Sequence, residues 1–342
     1  MDVLLSLPIA SYFFTTSLTS WSTSLNLLFF YMTWSTLVLS HSPLKIELLG
    51  TAALHTVFWL IPSLLFLAFD TLLPSLAESI KFGGASALPP RSAGSIARLL
   101  SVSLFNLALE LGVEAGASLG LTTFLQKPIF RTSTTLPLPW QMIKHVALLL
   151  AAREVLTFYI HRHLLHDKPV GGRIAAQHKQ CGAHARRAAP FSLLLMADNP
   201  IPFLLHRFVP LYLPAVAISL YGGNLHILTY LLFVGLCTLE ETLSMSGYSI
   251  VPGIIMGGIA RRTALHYAQP AGNFGCWGIL DWVHGTSLGK DVMEDIHDEA
   301  EKHNVKGRSA KAADDAGSMV QNGMNGLRRS ARSRARRSKD NW

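Results

Sequence analysis

The sequence predicts an all-α membrane protein that carries a histidine-rich region. Half of the 342 residues are hydrophobic and only 15% are charged. That is too little polar side chain to cover a soluble globule of this size. Several apolar runs also approach or reach the roughly 20 residues that a helix needs to cross the hydrocarbon layer. We therefore expect four to six membrane-embedded helices, not all of which need to span.

The apolar runs lie within the first 240 residues. They are Leu27 to Leu39, Leu48 to Phe69, Ala97 to Leu125, Trp140 to Ile160, and two runs between Phe208 and Leu239. The third run contains Glu110 and Glu114, which are four residues apart and so share one helical face. Because carboxylates inside a membrane face protein rather than lipid, we expect both to be buried between helices.

The net charge of +8 belongs to the C-terminal tail. Residues 302–342 carry eleven Lys or Arg and three Asp, so the remainder of the chain is neutral in sum. The basic character therefore gives no reason to expect a nucleic-acid partner. The tail has no apolar periodicity, which predicts disorder, and its charge favours the cytosolic side. We predict a membrane-spanning region at 1–145, a catalytic region at 146–290 and a basic disordered tail at 291–342.

The histidines are clustered. Of fourteen in the chain, five lie within 24 residues: His161, His163, His166, His178 and His184. Burying several imidazoles without partners would be costly, and neutral imidazole is a common ligand of transition metals. Zinc sites usually take three or four ligands, often with cysteine, whereas the three cysteines here are scattered singly. A large histidine set at a membrane surface favours iron. Single histidines on apolar helices (His55, His145, His206 and His226) are interpreted as core residues.

Two stretches carry a family resemblance. FYIHRHLLH (158–166), with His178 and His184 after it, and NFGCWGILDWVHGTSLG (273–289) resemble the fatty acid hydroxylase and sterol desaturase superfamily, in particular a fungal-type branch. The resemblance covers roughly residues 145–290. It implies a multi-pass protein of the endoplasmic reticulum membrane, with a cytosol-facing, histidine-lined helical region. It also implies two non-haem irons, which use dioxygen to oxidise a lipid.

The resemblance also implies site residues. The metal ligands it suggests are His161, His163, His166, His178, His184 and His266. Asp281 and His284 are candidate catalytic residues beside the metals. For Asp281 the alternative is a pairing with Arg261 or Arg262. For His284 the alternative is a position without a role, because many relatives carry Phe there.

The first histidine box departs from the family pattern. The family has H-x-x-x-H, whereas His161 and His166 are five residues apart and roughly 140° out of register on a regular α-helix. A π-bulge would bring these two into line and leave His163 outside the pair. On a regular helix, His163 and His166 would instead share one face. We favour the π-bulge, because the His161-Arg162 dipeptide matches the family box and π-bulges frequently occur at functional sites.

Other family histidines are absent. Asn199, Met245, Thr263 and Tyr267 occupy positions where the family commonly has His. Carboxylates also bind iron, so the possible substitutes comprise Asp198, Glu240, Glu241, Asp281 and His284. One iron site could equally have been lost.

These observations leave two hypotheses for function. The first is a membrane-bound iron oxygenase that hydroxylates or desaturates a lipid, with a fatty acyl chain as the first expectation and a sterol, terpenoid or polyketide as the alternative. Because the sequence shows no haem segment, electrons are expected from cytochrome b5 and its reductase. The second is a membrane scaffold that has kept the fold and lost the chemistry.

Overall fold

The computed structural model describes residues 18–302 except residue 181, residues 223–224 and residue 252. The basic tail after Lys302, with its predicted disorder, lies outside the described residues, as does Cys181. The described part of the chain is helical and contains no β-strand, which confirms the all-α prediction.

The structure is built from eleven described α-helical stretches, numbered here in chain order. They are α1 (Leu18–Ser40), α2 (Pro43–Leu72), α3 (Pro74–Ile80), α4 (Ala93–Leu125), α5 (Pro139–Tyr159), α6 (Lys168–Gln180), α7 (Pro200–Tyr221), α8 (Ile227–Ser244), α9 (Ile254–Ala268), α10 (Ile279–Val283) and α11 (Val292–Lys302). Three π-helical turns also occur: Thr56–Leu60 within α2, Ile160–Leu165 directly after α5, and Leu204–Phe208 within α7.

Within the described part of the chain, four helices are long and apolar enough to cross a membrane, namely α2, α4, α7 and α8. They account for four of the predicted apolar runs and are consistent with a multi-pass membrane protein. The run from Trp140 to Ile160 forms α5, which is not among the four because Lys144, Arg153 and Glu154 interrupt it. The described stretch Leu25–Ser40 of α1 is apolar but shorter.

The polarity of α4 is inverted relative to a helix of a soluble protein. Its fully buried side chains are all polar: Ser103, Asn106, Glu110, Glu114 and Ser118. Leu104 and Phe105, in contrast, are exposed. This arrangement suits a helix whose outer face meets lipid, because polar groups then have partners only toward other helices. The prediction that Glu110 and Glu114 face protein is confirmed.

Apolar and aromatic side chains close the core between α7, α8 and the loop that follows α4. Phe130 stacks on Tyr230 with ring centroids 4.4 Å apart, and Tyr212 meets Phe130 edge-on. Phe233 and Leu149, from α8 and α5, are also fully buried there. This cluster holds the helices that flank the histidine region described below.

The described residues up to Val292 form one compact unit, and Met293–Lys302 belong to a second. The first unit includes parts of both the predicted membrane region and the predicted catalytic region. The described residues of the second unit all belong to α11, which has Glu294 and Asp295 in its first turn. The proposed division at residues 145 and 290 stays a prediction.

A buried ion pair joins α2 to the segment after α3. Tyr248, in the segment after α8, binds to the same pair. Lys81 donates to the Asp70 carboxylate, and both side chains are almost fully buried. Tyr248 donates its hydroxyl hydrogen to the second Asp70 oxygen at 2.7 Å, and its ring lies 4.7 Å from the Lys81 ammonium. The backbone follows the same connection, because Phe82 donates to the Gly247 carbonyl at 2.8 Å.

This pair leads to a prediction on stability. Lys81→Met leaves the Asp70 charge buried without its cation, which typically costs about 3 kcal/mol or more. Tyr248→Phe removes a single hydrogen bond and should cost about 1 kcal/mol. In the double variant Asp70→Asn with Lys81→Met, no buried charge remains, so much of the loss should be recovered. Thermal unfolding in detergent measures all three. A double variant less stable than Lys81→Met would show that the pair is not the source of the stability.

Candidate metal centre

A π-helical turn decides the geometry of the first histidine pair. After α5 the chain continues as a π-helix over Ile160–Leu165, and the His166 backbone N–H donates to the His161 carbonyl at 3.0 Å, five residues back. The extra residue rotates His166 onto the face of His161, and their ring centroids lie 4.7 Å apart. Of the two predicted arrangements, the structure adopts the π-bulge.

The second histidine pair is separated by a turn rather than carried on one helix. His178 lies in the last turn of α6, and His184 begins a short 3₁₀ turn, His184–Arg186. Gly182 between them has φ +61°, and a Cβ there would approach the Ala197 carbonyl oxygen to 2.5 Å. Glycine therefore permits the tight reversal that returns His184 to His178, whose ring centroids are 4.2 Å apart.

Four histidines from three segments converge on one point. The candidate ligand nitrogens of His161, His166, His184 and His266 all lie within 4.8 Å of one another. His184 Nε2 is 3.2 Å from His166 Nε2 and 2.9 Å from His266 Nε2. Nitrogens this close require either a shared proton or a shared cation, and a quartet of imidazoles is a suitable ligand set for a transition metal.

Hydrogen bonds hold the opposite nitrogens of two of the four rings. His161 Nδ1–H donates to the Phe274 carbonyl at 3.0 Å, and His266 Nδ1–H donates to the Gly272 carbonyl at 2.6 Å. Carbonyl oxygens accept but cannot donate, so each ring carries its hydrogen on Nδ1 and presents the Nε2 lone pair to the cluster. This is the arrangement in which outer hydrogen bonds orient histidine ligands toward a metal. The residues present therefore fit a metal ion.

Burial favours the neutral form of these rings. Desolvation, reinforced by the neighbouring histidines, lowers the pKa of His166 to about 2 and holds the pKa values of His161 and His184 well below the usual range. Desolvation likewise lowers the pKa of His266 to about 4. Neutral imidazoles are the form that binds metal, so the cluster is in the binding form at neutral pH.

Two further histidines adjoin the quartet. His178 Nε2 is 3.3 Å from His161 Nε2, while His178 Nδ1–H donates to the Asp198 carboxylate at 2.7 Å. The His206 ring centroid lies 4.1 Å from that of His161. The interpretation of His206 as a solitary core residue is wrong. A sequence signal was present, because Phe158–Arg162 and Phe203–Arg207 both read F-x-x-H-R and both run through π-helical turns.

Asp281 organises the loop that supports His161. Its carboxylate is fully buried and accepts hydrogen bonds from the Phe274 and Gly275 backbone N–H groups at 2.9 and 2.7 Å. It also accepts one from the Thr286 hydroxyl at 2.7 Å. Asp281 thus fixes the peptide whose carbonyl orients His161, and it reaches the cluster through that peptide.

Two of the candidate residues lie away from the convergence point. His163 is exposed, and its ring stacks on Tyr159 with centroids 6.0 Å apart. His284 is exposed too; its Nδ1–H donates to the Leu280 carbonyl at 2.9 Å, and its ring lies 4.8 Å from that of Phe158. The structure therefore groups His161, His166, His178, His184 and His266, with His206 added.

A cavity of about 60 Å³ opens beside the cluster and is bordered by charged side chains. Arg153 donates to Glu240 at 3.1 Å and to Glu241 at 2.8 Å, and Arg207 donates to Glu241 at 2.6 Å. Trp277 adds an indole N–H to Glu240 at 3.2 Å. The two glutamates, considered above as substitute ligands, are thus engaged by arginines.

Three of the four positions without the expected histidine also border this site. Met245, Thr263 and Tyr267 line the cavity together with His161, His206 and His266. Tyr267 lies 4.6 Å from His184 between ring centroids. The fourth, Asn199, follows Asp198 and donates its side-chain amide to the Gln177 carbonyl at 3.1 Å. Asp198 is the partner of His178, so it supports a ligand candidate from behind.

Comparison with known families identifies the domain that contains this cluster. Residues 146–286 match the family described as fatty acid hydroxylase. No solved structure matches the chain. The matched residues include the π-helical turn after α5, all six clustered histidines and the loop that Asp281 organises. The fungal-type branch stays a prediction. This domain match supports the resemblance to the fatty acid hydroxylase and sterol desaturase superfamily, a family of oxidoreductases.

Proposed function

We propose that the protein is a membrane-bound, iron-dependent oxygenase that hydroxylates or desaturates a lipid, with a fatty acyl chain as the expected substrate. The observation that carries the proposal is the convergence of four imidazole nitrogens within 4.8 Å, in a domain of the fatty acid hydroxylase family. His161, His166, His184 and His266 would hold one iron. His178 and His206 adjoin His161 and are the ligands we assign to a second.

The chain supplies the surroundings of this chemistry. Bound iron activates dioxygen for attack on an unactivated C–H bond. The carbonyls of Phe274 and Gly272 hold their histidines in one tautomer, and Asp198 does the same for His178. The ion pairs of Arg153 and Arg207 with Glu240 and Glu241 border the cavity and fix its polar wall. We assign Asp281 a positioning role, because its contacts are with the loop that carries Phe274.

An apolar groove supports the choice of a lipid chain. Its volume is about 380 Å³, within the range of small-molecule sites. The lining residues come from α2, the end of α3, the last turn of α8 and the segment after it: Leu65, Phe66, Phe69, Ile80, Leu243, Ser246, Tyr248, Ile250 and Val251. Leu243 and Ser246 line the groove, while Ser244 and Met245 line the cavity beside the histidines. We propose that the chain of the substrate enters from the bilayer along this groove.

The remaining parts of the proposal concern cellular context. We propose that the protein resides in the endoplasmic reticulum membrane with the histidine region and the C-terminal tail in the cytosol. Cytochrome b5 and its reductase would supply electrons. The four apolar helices support a multi-pass arrangement.

A second candidate function is a membrane scaffold without catalysis. It is favoured by the non-histidine residues Asn199, Met245, Thr263 and Tyr267 at positions where the family commonly has His. The two candidates differ in metal content. Purified protein with one or two irons per chain supports the oxygenase, and metal-free protein after expression in iron-rich medium supports the scaffold. Lipid mass spectrometry of a strain that lacks the gene then identifies the substrate.

The first site prediction compares two neighbouring histidines. His161→Ala should lose most of the bound iron and its product formation, by more than the 10- to 100-fold that loss of a mere outer partner of a ligand costs. His163→Ala, two residues away and exposed, should keep both. Iron assay and product quantification in membranes measure the effect. The reverse ranking would overturn the assignment of His161.

A second prediction concerns the support of His178. Asp198→Asn keeps the size of the side chain but removes the charge that holds the imidazole N–H. Iron affinity should fall by roughly 10- to 100-fold. Competition with a colorimetric chelator gives the affinity. Asn199→Ala is the matched control, because its amide contacts only the backbone of α6 among the bonds described. Equal affinities in the two variants would contradict the role of Asp198.

A third prediction concerns pH. Folding lowers the pKa values of His166 and His266 to about 2 and about 4, below the value near 6.5 of an unfolded imidazole. The unfolded chain therefore binds protons first, and stability that is present above about pH 6.5 is lost as the pH falls toward about 4. Metal-free protein should show a falling thermal unfolding midpoint across this window, and His266→Gln should flatten the curve. A curve with the same slope in that variant would count against the burial of a neutral ring.

A further inference from the structure

The facing sides of α2 and α4 carry titratable groups that the proposed metal chemistry leaves unused. Ser118 donates to the Glu47 carboxylate, and Thr51 donates to Glu114 at 3.1 Å. His55 Nε2 lies 3.6 Å from the Glu110 carboxylate. Each contact moves four residues forward on α2 and four residues back on α4, so successive turns of two antiparallel helices are matched. We call this set the polar ladder: Glu47, Thr51, His55, Glu110, Glu114 and Ser118.

Neighbouring helices extend the polar ladder with groups that can pass a proton. The Tyr212 hydroxyl bonds the Ser118 hydroxyl at 2.8 Å, and Tyr230 donates to Glu114 at 2.9 Å. The Thr238 hydroxyl lies 3.3 Å from His55 Nδ1. Among the hydrogen bonds of the described residues, Glu47 and Glu114 accept only from hydroxyl groups, and neither meets Lys or Arg. The contact of Glu110 is with the His55 imidazole.

This composition is unusual for a simple helix contact. Serine, threonine and asparagine join membrane helices at little cost, whereas an ionisable group inside the membrane is expensive and generally functional. The three carboxyls, Glu47 on α2 and Glu110 and Glu114 on α4, lie along successive rungs of one ladder and cannot all be ionised, because like charges in a low dielectric repel strongly. Part of the set must therefore carry protons.

The His55–Glu110 end of the polar ladder has unsatisfied polar atoms. Glu110 Oε2 and His55 Nε2 are buried without a hydrogen-bond partner, and the two side chains are only 5% and 3% exposed. Buried polar atoms nearly always have partners. His55 Nε2 lies 3.6 Å from the other carboxyl oxygen, Glu110 Oε1. This distance is slightly longer than a hydrogen bond, so a small side-chain rotation brings the acid and the imidazole into proton-transfer distance.

The polar ladder leads toward the metal cavity. Thr238, beside His55, is three residues from Glu241 on α8, and residues at this spacing are neighbours on a helix surface. Glu241 lines the cavity together with His161 and His206. At the other end, Glu47 lies one turn from Pro43, where α2 begins.

We propose that the polar ladder is a proton-uptake path that runs from the start of α2 to the cavity beside the histidine cluster. The inference rests on the proposed function. When dioxygen and two electrons from a one-electron donor convert a C–H group into an alcohol, one oxygen atom enters the product and the other leaves as water. This balance consumes two protons. In each transfer, the Glu110 carboxylic acid gives its proton to His55, His55 releases one toward Thr238 and Glu241, and Glu110 is re-protonated from Glu114 and Glu47.

The test follows a buried carboxylic acid by infrared spectroscopy. Full-length, iron-loaded protein in lipid nanodiscs is mixed rapidly with D₂O, and the shift of the carboxylic acid C=O band is timed. We expect a band in the wild type that exchanges fast and loses one component in Glu110→Gln. In His55→Gln the band should persist and exchange more slowly, on the order of tenfold. Glu78→Gln, at an exposed carboxylate on α3, is the matched control and should behave as the wild type.

A second readout separates this inference from the proposed function. Glu110→Gln and His55→Gln should retain iron and their thermal unfolding midpoints. They should oxidise lipid roughly tenfold more slowly, with a larger solvent deuterium isotope effect. Absence of the band, or unchanged exchange in His55→Gln, would overturn the path. Fast exchange in a wild type that binds iron but oxidises no lipid would refute the oxygenase while supporting the path.

Discussion

Polar side chains on apolar helices need partners away from lipid, and most of the described structure follows from this requirement. On α4 the fully buried residues are all polar, while Leu104 and Phe105 are exposed. The same requirement turns Arg153 of α5 toward Glu240 and Glu241, and pairs Asp70 with Lys81. The helices are thereby fixed in rotation about their axes, and the surfaces that carry chemistry face one another.

The histidine cluster needs a finer adjustment than helix rotation. An α-helix advances 100° per residue, so moving one side chain by a fraction of a turn requires a local change of pitch. Each of the three π-helical turns among the described residues contains or directly follows a histidine, namely His55, His161 and His206. One of these turns aligns His161 with His166, and another brings His206 to the same place.

The loop after α9 completes the centre from outside. Asp281 holds the peptide at Phe274, Phe274 orients His161, and Gly272 orients His266. Two ligand candidates therefore depend on one loop, whose sequence is part of the second stretch that carries the family resemblance. Met245, Thr263 and Tyr267 stand where the family commonly has His. Their presence leaves the loop that orients His161 and His266 intact, because none of the three residues contacts this loop in the described hydrogen bonds.

Composition and apolar run length by themselves determined the helical class, the membrane location of the helices and the inward direction of Glu110 and Glu114, because these depend on the cost of placing polar groups in lipid. Histidine spacing with the resemblance indicated a metal centre. The match of His161-Arg162 to the family box favoured the π-bulge for the first pair, and the backbone pitch of the structure confirms it. Only the tertiary structure brought His206 beside His161 and left His163 outside, because side chains distant in sequence meet through helix packing. It also matched the polar residues of α2 with those of α4, a register that neither helix encodes alone.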